Sequence, residues 1–143
     1  ENWTYHRSPF PAIGGGQRIV LMRLREGPLL LVSFTGDRKD QPVMHITDDS
    51  GTKRPVKGLF AAVSFNEAET WANIRLISDD GSGRKLETMN GHPFTMGFDS
   101  SEPGGYMAAC QAPDGLIHLI SSKQHYTFNL EWLKPPPPSA IQL

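Results

Sequence analysis

The residue types in this chain that could do chemistry are five histidines, one cysteine, two aspartate-glycine runs and a glycine triplet. His6, His45, His92, His118 and His125 show no paired metal-ligand spacing along the chain. Cys110 is the single cysteine, which excludes an intrachain disulfide and any cysteine-based zinc cluster within these residues. Its expected role is that of a small buried hydrophobe. Asp48-Asp49-Ser50-Gly51 and Asp79-Asp80-Gly81-Ser82-Gly83 lack the regular alternation and closing glutamate of a calcium loop, so both read as turns. Gly14-Gly15-Gly16 has no helix after it and is no phosphate cradle. No metal and no cofactor is assigned on these grounds.

Charge narrows the partners. Lys and Arg number 14 against 15 Asp and Glu, a net charge of -1, which gives no electrostatic reason to expect a nucleic-acid or anionic-membrane partner. No apolar run approaches the length of a membrane span, and no basic region followed by a hydrophobic stretch stands at the N-terminus. Asn2-Trp3-Thr4 fits an N-glycosylation sequon, which is used only on a secretory route. The sequence starts at Glu1 with Trp3 and Tyr5 already strand-like, and the expectation is a boundary inside a longer protein.

The elements that would position any site are strands. Fourteen glycines and twelve prolines punctuate apolar and β-branched runs too short for ordinary helices. The pattern predicts strands over 18–24 and 29–34 around the turn Arg25-Glu26-Gly27-Pro28, the second apolar enough to be buried on both faces. A polar stretch over 35–57 carries a short strand at 43–47. Strands over 59–65 and 73–78 flank a connection at 66–71, and a second polar stretch over 79–103 carries a short strand near 94–98. Strands over 106–111, 116–121 and 126–130 follow, the first two joined by Ala112-Pro113-Asp114-Gly115, where proline pre-sets the backbone and glycine accepts positive φ. The prolines at 135–138 cannot continue a ladder, so residues 1–134 form the domain and 135–143 an extended tail. Segments 18–34 and 106–121 echo one another, which suggests repeated sheets; a two-layer sandwich is the plain alternative.

Ser64-Phe65-Asn66-Glu67-Ala68-Glu69-Thr70-Trp71 resembles the Asp-box, S-x-D-x-G-x-T-W, of sialidases and related propellers. Ser64, Thr70 and Trp71 match, Asn66 stands for the aspartate and Ala68 for the glycine. The box closes the turn between the third and fourth strands of a blade in that family, where the strand pattern here also puts it. The stretch from Gly105-Tyr106 through Pro113-Asp114-Gly115 to Phe128-Asn129-Leu130-Glu131-Trp132-Leu133 is similar to the last sialidase blade. Met107 stands where serine is usual, and Ser121-Ser122 where Tyr-Glu commonly follows.

The resemblance implies an all-β chain with a β-propeller fold of the sialidase type, about two blades of it present here, and a glycan or sialic-acid-like partner. It puts Tyr106 at the position of the nucleophilic tyrosine, a residue that needs a neighbouring carboxylate to take its proton. Arg54 falls where the family's third carboxylate-gripping arginine lies, and a guanidinium fork suits that task. Arg18, in Gln17-Arg18-Ile19-Val20, is a second substrate-binding candidate that faintly echoes the first-blade R-I-P motif. The remaining arginines, the acid/base aspartate and the activating glutamate would lie on other blades. The expectation is therefore sialidase-like ancestry without hydrolysis by this chain alone; a non-catalytic glycan-binding or scaffold propeller, completed by further blades or by copies of the chain, is the rival.

Overall fold

Strand formation begins at Val20–Arg23 (β1), which pairs antiparallel with Leu29–Phe34 (β2) in the register Val20 to Val32 and Arg23 to Leu29. The computed structural model describes residues 2–15, 17–36, 38–78 and 83–139. A small hairpin of His45–Thr47 (β3) and Lys53–Pro55 (β4) is then inserted before Leu59–Ser64 (β5) returns to pair with β2. Ala72–Leu76 (β6) completes a four-stranded antiparallel sheet of order β1-β2-β5-β6, with a register irregularity between Ala61 and Val63.

A second inserted hairpin, Arg84–Glu87 (β7) with Pro93–Met96 (β8), leads to Met107–Gln111 (β9), Ile117–Ser121 (β10) and Gln124–Phe128 (β11). These last three form an antiparallel sheet of order β11-β10-β9. One helical turn, Leu130–Leu133 (α1), follows, with Asn129 Oδ1 accepting from the Trp132 N–H at 2.9 Å. The chain is thus all-β with several antiparallel sheets, none closed into a barrel.

Packing explains why β2 and β5 read as uninterrupted apolar runs. One face of the four-stranded sheet (Val20, Leu30, Val32, Ala61, Val63) meets Met107, Ile117, Leu119 and Phe128 of the three-stranded sheet, with Leu130 and Leu133 of α1 closing the same core. Its other face (Leu31, Phe60, Ala62, Leu76) is covered by Phe10, Met44, Ile46, Val56 and Trp71. Strands clad on both sides can be hydrophobic at every position, and each fully buried Val, Leu or Phe side chain contributes roughly 1.5–3 kcal/mol.

The segment after β8 is clamped beneath the first sheet. Lys57 and Ser100 form a parallel bridge, the Ser101 N–H donates to the Lys57 carbonyl at 2.9 Å, and the Ser101 hydroxyl donates to the Leu59 carbonyl at 2.7 Å. Gly58 makes this approach possible: at φ +109°, a Cβ there would lie 2.5 Å from the Ser101 carbonyl oxygen.

Several expectations change. Trp3 and Tyr5 are not in a strand and lie 87% and 82% exposed. The polar stretches hold hairpins rather than single strands, so β4 and β7 are additions. The strand expected over 126–130 runs Gln124–Phe128 and yields to α1, because Asn129 caps a helical turn. Cys110 is exposed, not buried, since alternation along β9 turns it away from the core side that Met107 occupies. Part of the tail docks: Pro137 is buried and its carbonyl accepts from the Asp49 N–H at 3.0 Å. Glu1, Gly16, Asp37, the run 79–82 and residues 140–143 lie outside the described residues.

Candidate functional site

Tyr106 precedes β9 and Arg18 precedes β1, so the two inner sheet edges bring them together. The Arg18 N–H donates to the Gly105 carbonyl at 3.3 Å, and the Arg18 guanidinium carbon lies 5.0 Å from the centre of the Tyr106 ring. That is cation-π range. Tyr106 is anchored by its backbone: its N–H donates to the Ser122 hydroxyl at 3.0 Å, and its carbonyl accepts from the Ser122 N–H at 3.0 Å. The residue stays 50% exposed. Gly105 is needed beside it, because a Cβ there would meet the Ser121 hydroxyl at 2.6 Å.

The carboxylate nearest in sequence serves a different tyrosine. Glu102 is fully buried, and its Oε2 accepts from the Tyr126 hydroxyl at 2.7 Å, while Oε1 has no hydrogen-bond partner among the described residues. Burial pushes the Glu102 carboxyl above the usual carboxylate range, with the hydrogen bond from the Tyr126 hydroxyl pulling the other way. Burial, and then the Glu102 carboxylate, push the Tyr126 phenol up as well. A phenol held neutral in this way is a poor nucleophile, so the Glu102–Tyr126 pair ties the 102–106 segment to β11.

Arg54 is not brought to Tyr106. It is buried in β4, its Nη1 donates to the Phe98 carbonyl and lies 3.4 Å from Asp99 Oδ1, and its guanidinium stacks 3.5 Å over the Phe98 ring. These contacts join the β3–β4 hairpin to the segment after β8. Its role in the described structure is to hold two loops together.

The 64–71 turn is closed by side chains. The buried Ser64 hydroxyl accepts from the Ala68 N–H at 2.9 Å and donates to Asn66 Oδ1 at 3.1 Å. Asn66 Oδ1 also accepts from the Thr70 N–H, and its Nδ2 donates to Thr70 Oγ1, both at 2.9 Å. Glu67 and Ala68 take left-handed backbone, at φ 59° and 68°. Trp71 packs against Phe10 edge-on, with ring centres 5.3 Å apart, on the β3–β4 side of the sheet. Beyond the turn, Glu67 grips Arg23 of β1 through two bonds of 2.8 and 2.6 Å.

No protein-family model, no curated protein and no solved structure matches the chain. Geometry therefore carries the functional reading. Among the described residues no group of three or more His, Cys, Asp and Glu side chains is arranged to hold a metal ion, and no helix is long and apolar enough to cross a membrane. The 48–51 run behaves as a turn, with Asp48 Oδ1 accepting from the Ser50 and Thr52 N–H groups at 3.0 and 2.9 Å. Sequence reasoning missed Tyr126 altogether; only its pairing across the fold with Glu102 reveals it.

Proposed function

We propose that this chain is two successive blades of a sialidase-type propeller that binds a sialic-acid-like or related acidic glycan and does not hydrolyse it with its own residues. The observation that carries the reading is the hydrogen-bonded turn of Ser64, Asn66, Ala68 and Thr70 between the third and fourth strands of a four-stranded antiparallel sheet. Two sheets that follow one another in sequence, with Arg18 over Tyr106 at the meeting of their first strands, support the same reading. A half-exposed arginine-tyrosine pair offers an acidic sugar a charge-assisted hydrogen bond and an aromatic edge.

The contacts support a reading without turnover. Tyr106 touches a cation and a serine rather than a base, Glu102 is committed to Tyr126, and Arg54 is committed to Phe98 and Asp99. Calorimetric titration of sialyllactose onto the chain tests the proposal: binding weakened at least about tenfold by Arg18→Ala, with no release of sialic acid from a fluorogenic sialoside, is expected. Sialoside cleavage that disappears in Tyr106→Phe would restore the hydrolase reading. Absence of binding, or binding indifferent to Arg18→Ala, would remove the glycan.

A further inference from the structure

The three-stranded sheet has one face against the core and one face free. Alternation puts Ala108 and Cys110 of β9, His118 and Ile120 of β10, and His125 and Thr127 of β11 on the free face. His118 pairs in register with Thr127, and His125 with Ile120, so the two histidines are diagonal neighbours across the β10–β11 hairpin. Their rings are nearly parallel, at 21°, with centres 5.4 Å apart. His118 Nδ1 and His125 Nε2 are hydrogen-bonded at 3.2 Å, one ring's N–H donating to the bare nitrogen of the other. Because this gap is so much shorter than the distance between ring centres, the two nitrogens lie between the rings and face one another.

That arrangement becomes a chelate when the shared proton moves to the ring's other nitrogen and a small ring rotation turns both lone pairs to one point beside the nitrogen–nitrogen line. Two imidazole nitrogens, each about 2.0–2.1 Å from one tetrahedral zinc ion, stand about this far apart. Both side chains reach solvent, and the strands that carry them are fixed by a continuous ladder on either side of β10. Cys110, a free and exposed thiol, is the register partner of His118 on its other flank. Directly opposed residues in an antiparallel pair have Cβ atoms about 4.5–5.5 Å apart, so a side-chain rotation brings the thiol toward the histidines.

We propose that His118 and His125 chelate one borderline divalent transition-metal ion, Zn²⁺ foremost, with Cys110 as the adjacent donor able to join them. Imidazole and thiolate select such ions over Mg²⁺ and Ca²⁺, which prefer oxygen. This inference stands apart from the glycan reading, since it uses none of the residues around Tyr106.

Calorimetry of ZnCl₂ titrated onto the full chain tests it. One ion per chain is expected, with no signal from MgCl₂. His118→Ala and His125→Ala should each weaken binding at least tenfold, since losing even an outer partner of a metal ligand costs about 10–100-fold. His118→Gln, which keeps side-chain bulk on the sheet, should behave as His118→Ala does. With Co²⁺ in place of zinc, a near-ultraviolet thiolate band lost in Cys110→Ser would show the cysteine joining; binding without that band leaves the two-histidine chelate standing. Zinc that binds equally well to the double variant H118A/H125A, or that fails to bind stoichiometrically to the native chain, overturns the proposal.

Discussion

The left-handed backbone at Ala68 has a measurable cost. Its φ of 68° is imposed by the turn, because the Ala68 N–H must reach the Ser64 hydroxyl at 2.9 Å while Asn66 holds Thr70. A residue with a Cβ pays roughly 1–2 kcal/mol to sit in this region. Glycine pays nothing there, but it has more freedom to lose on folding, worth about 0.4–1 kcal/mol. The balance for Ala68→Gly is a gain of about 0.5–1 kcal/mol, or about 2–4 °C in melting temperature for a chain of this size. Ala112 opens a turn without positive φ, so Ala112→Gly is the control, expected to lose about 0.5–1 kcal/mol. Thermal melts of both variants beside the native chain decide the matter. If Ala68→Gly melts at or below the native temperature while Ala112→Gly falls, the turn does not impose the strain described.

Other outcomes follow from the same contacts. Asn66→Asp should leave stability within about 0.5 kcal/mol, because the Thr70 hydroxyl can donate to a carboxylate in place of accepting from the amide, whereas Asn66→Ala should lose about 1–2 kcal/mol by urea unfolding. Gly58→Ala drives a methyl into the Ser101 carbonyl at a φ reserved for glycine and should cost more than about 2 kcal/mol on the same assay. Tyr126→Phe strips the buried Glu102 of its donor and should lose about 1–3 kcal/mol. The raised Glu102 carboxyl sets a pH dependence: between the unfolded and the raised folded value the native state holds more protons, so stability is full below the ordinary glutamate range and falls as pH climbs through that window. Glu102→Gln should abolish that fall across melts from about pH 4 to about pH 8; an unchanged slope would show that another group titrates.

Local signals carried the central strands and little beyond them. The limits of β2 coincide with the expected 29–34, and β5 ends one residue short of the expected 59–65, because unbroken apolar runs between turns admit few other conformations. The 112–115 turn likewise forms where Pro-Asp-Gly predicts it, with the Gly115 N–H donating to the Ala112 carbonyl at 3.0 Å. β4 and β7, reading KRP and RKLE, have no alternating apolar face, and each owes its existence to a partner strand supplied by a short return of the chain. α1 is a single turn, too short to show a period, although Asn129 ahead of Leu130 is a cap signal in plain view. Cys110 shows where residue type misleads. Its place three after the inward-facing Met107 on one strand was the better guide to its exposure than the usual burial of cysteine.

The candidate site was less legible because the partners of its charged groups are distant in sequence. Arg54 finds the Phe98 carbonyl 44 residues away and Glu102 finds Tyr126 24 residues away, so no local pattern can say whether either is free for a ligand. In the described structure both side chains join loops: the Arg54 guanidinium stacks on Phe98, and the Glu102 carboxyl is sealed from water. Arg18 differs, since its guanidinium meets only its own neighbour's carbonyl, at Gln17, and the Tyr106 ring among the described residues, and it is exposed. Any recognition of an anionic sugar by this chain is therefore expected to rest on Arg18 and Tyr106 rather than on Arg54. Arg54→Ala should lower stability, by loosening the β3–β4 hairpin from the segment after β8, before it alters binding.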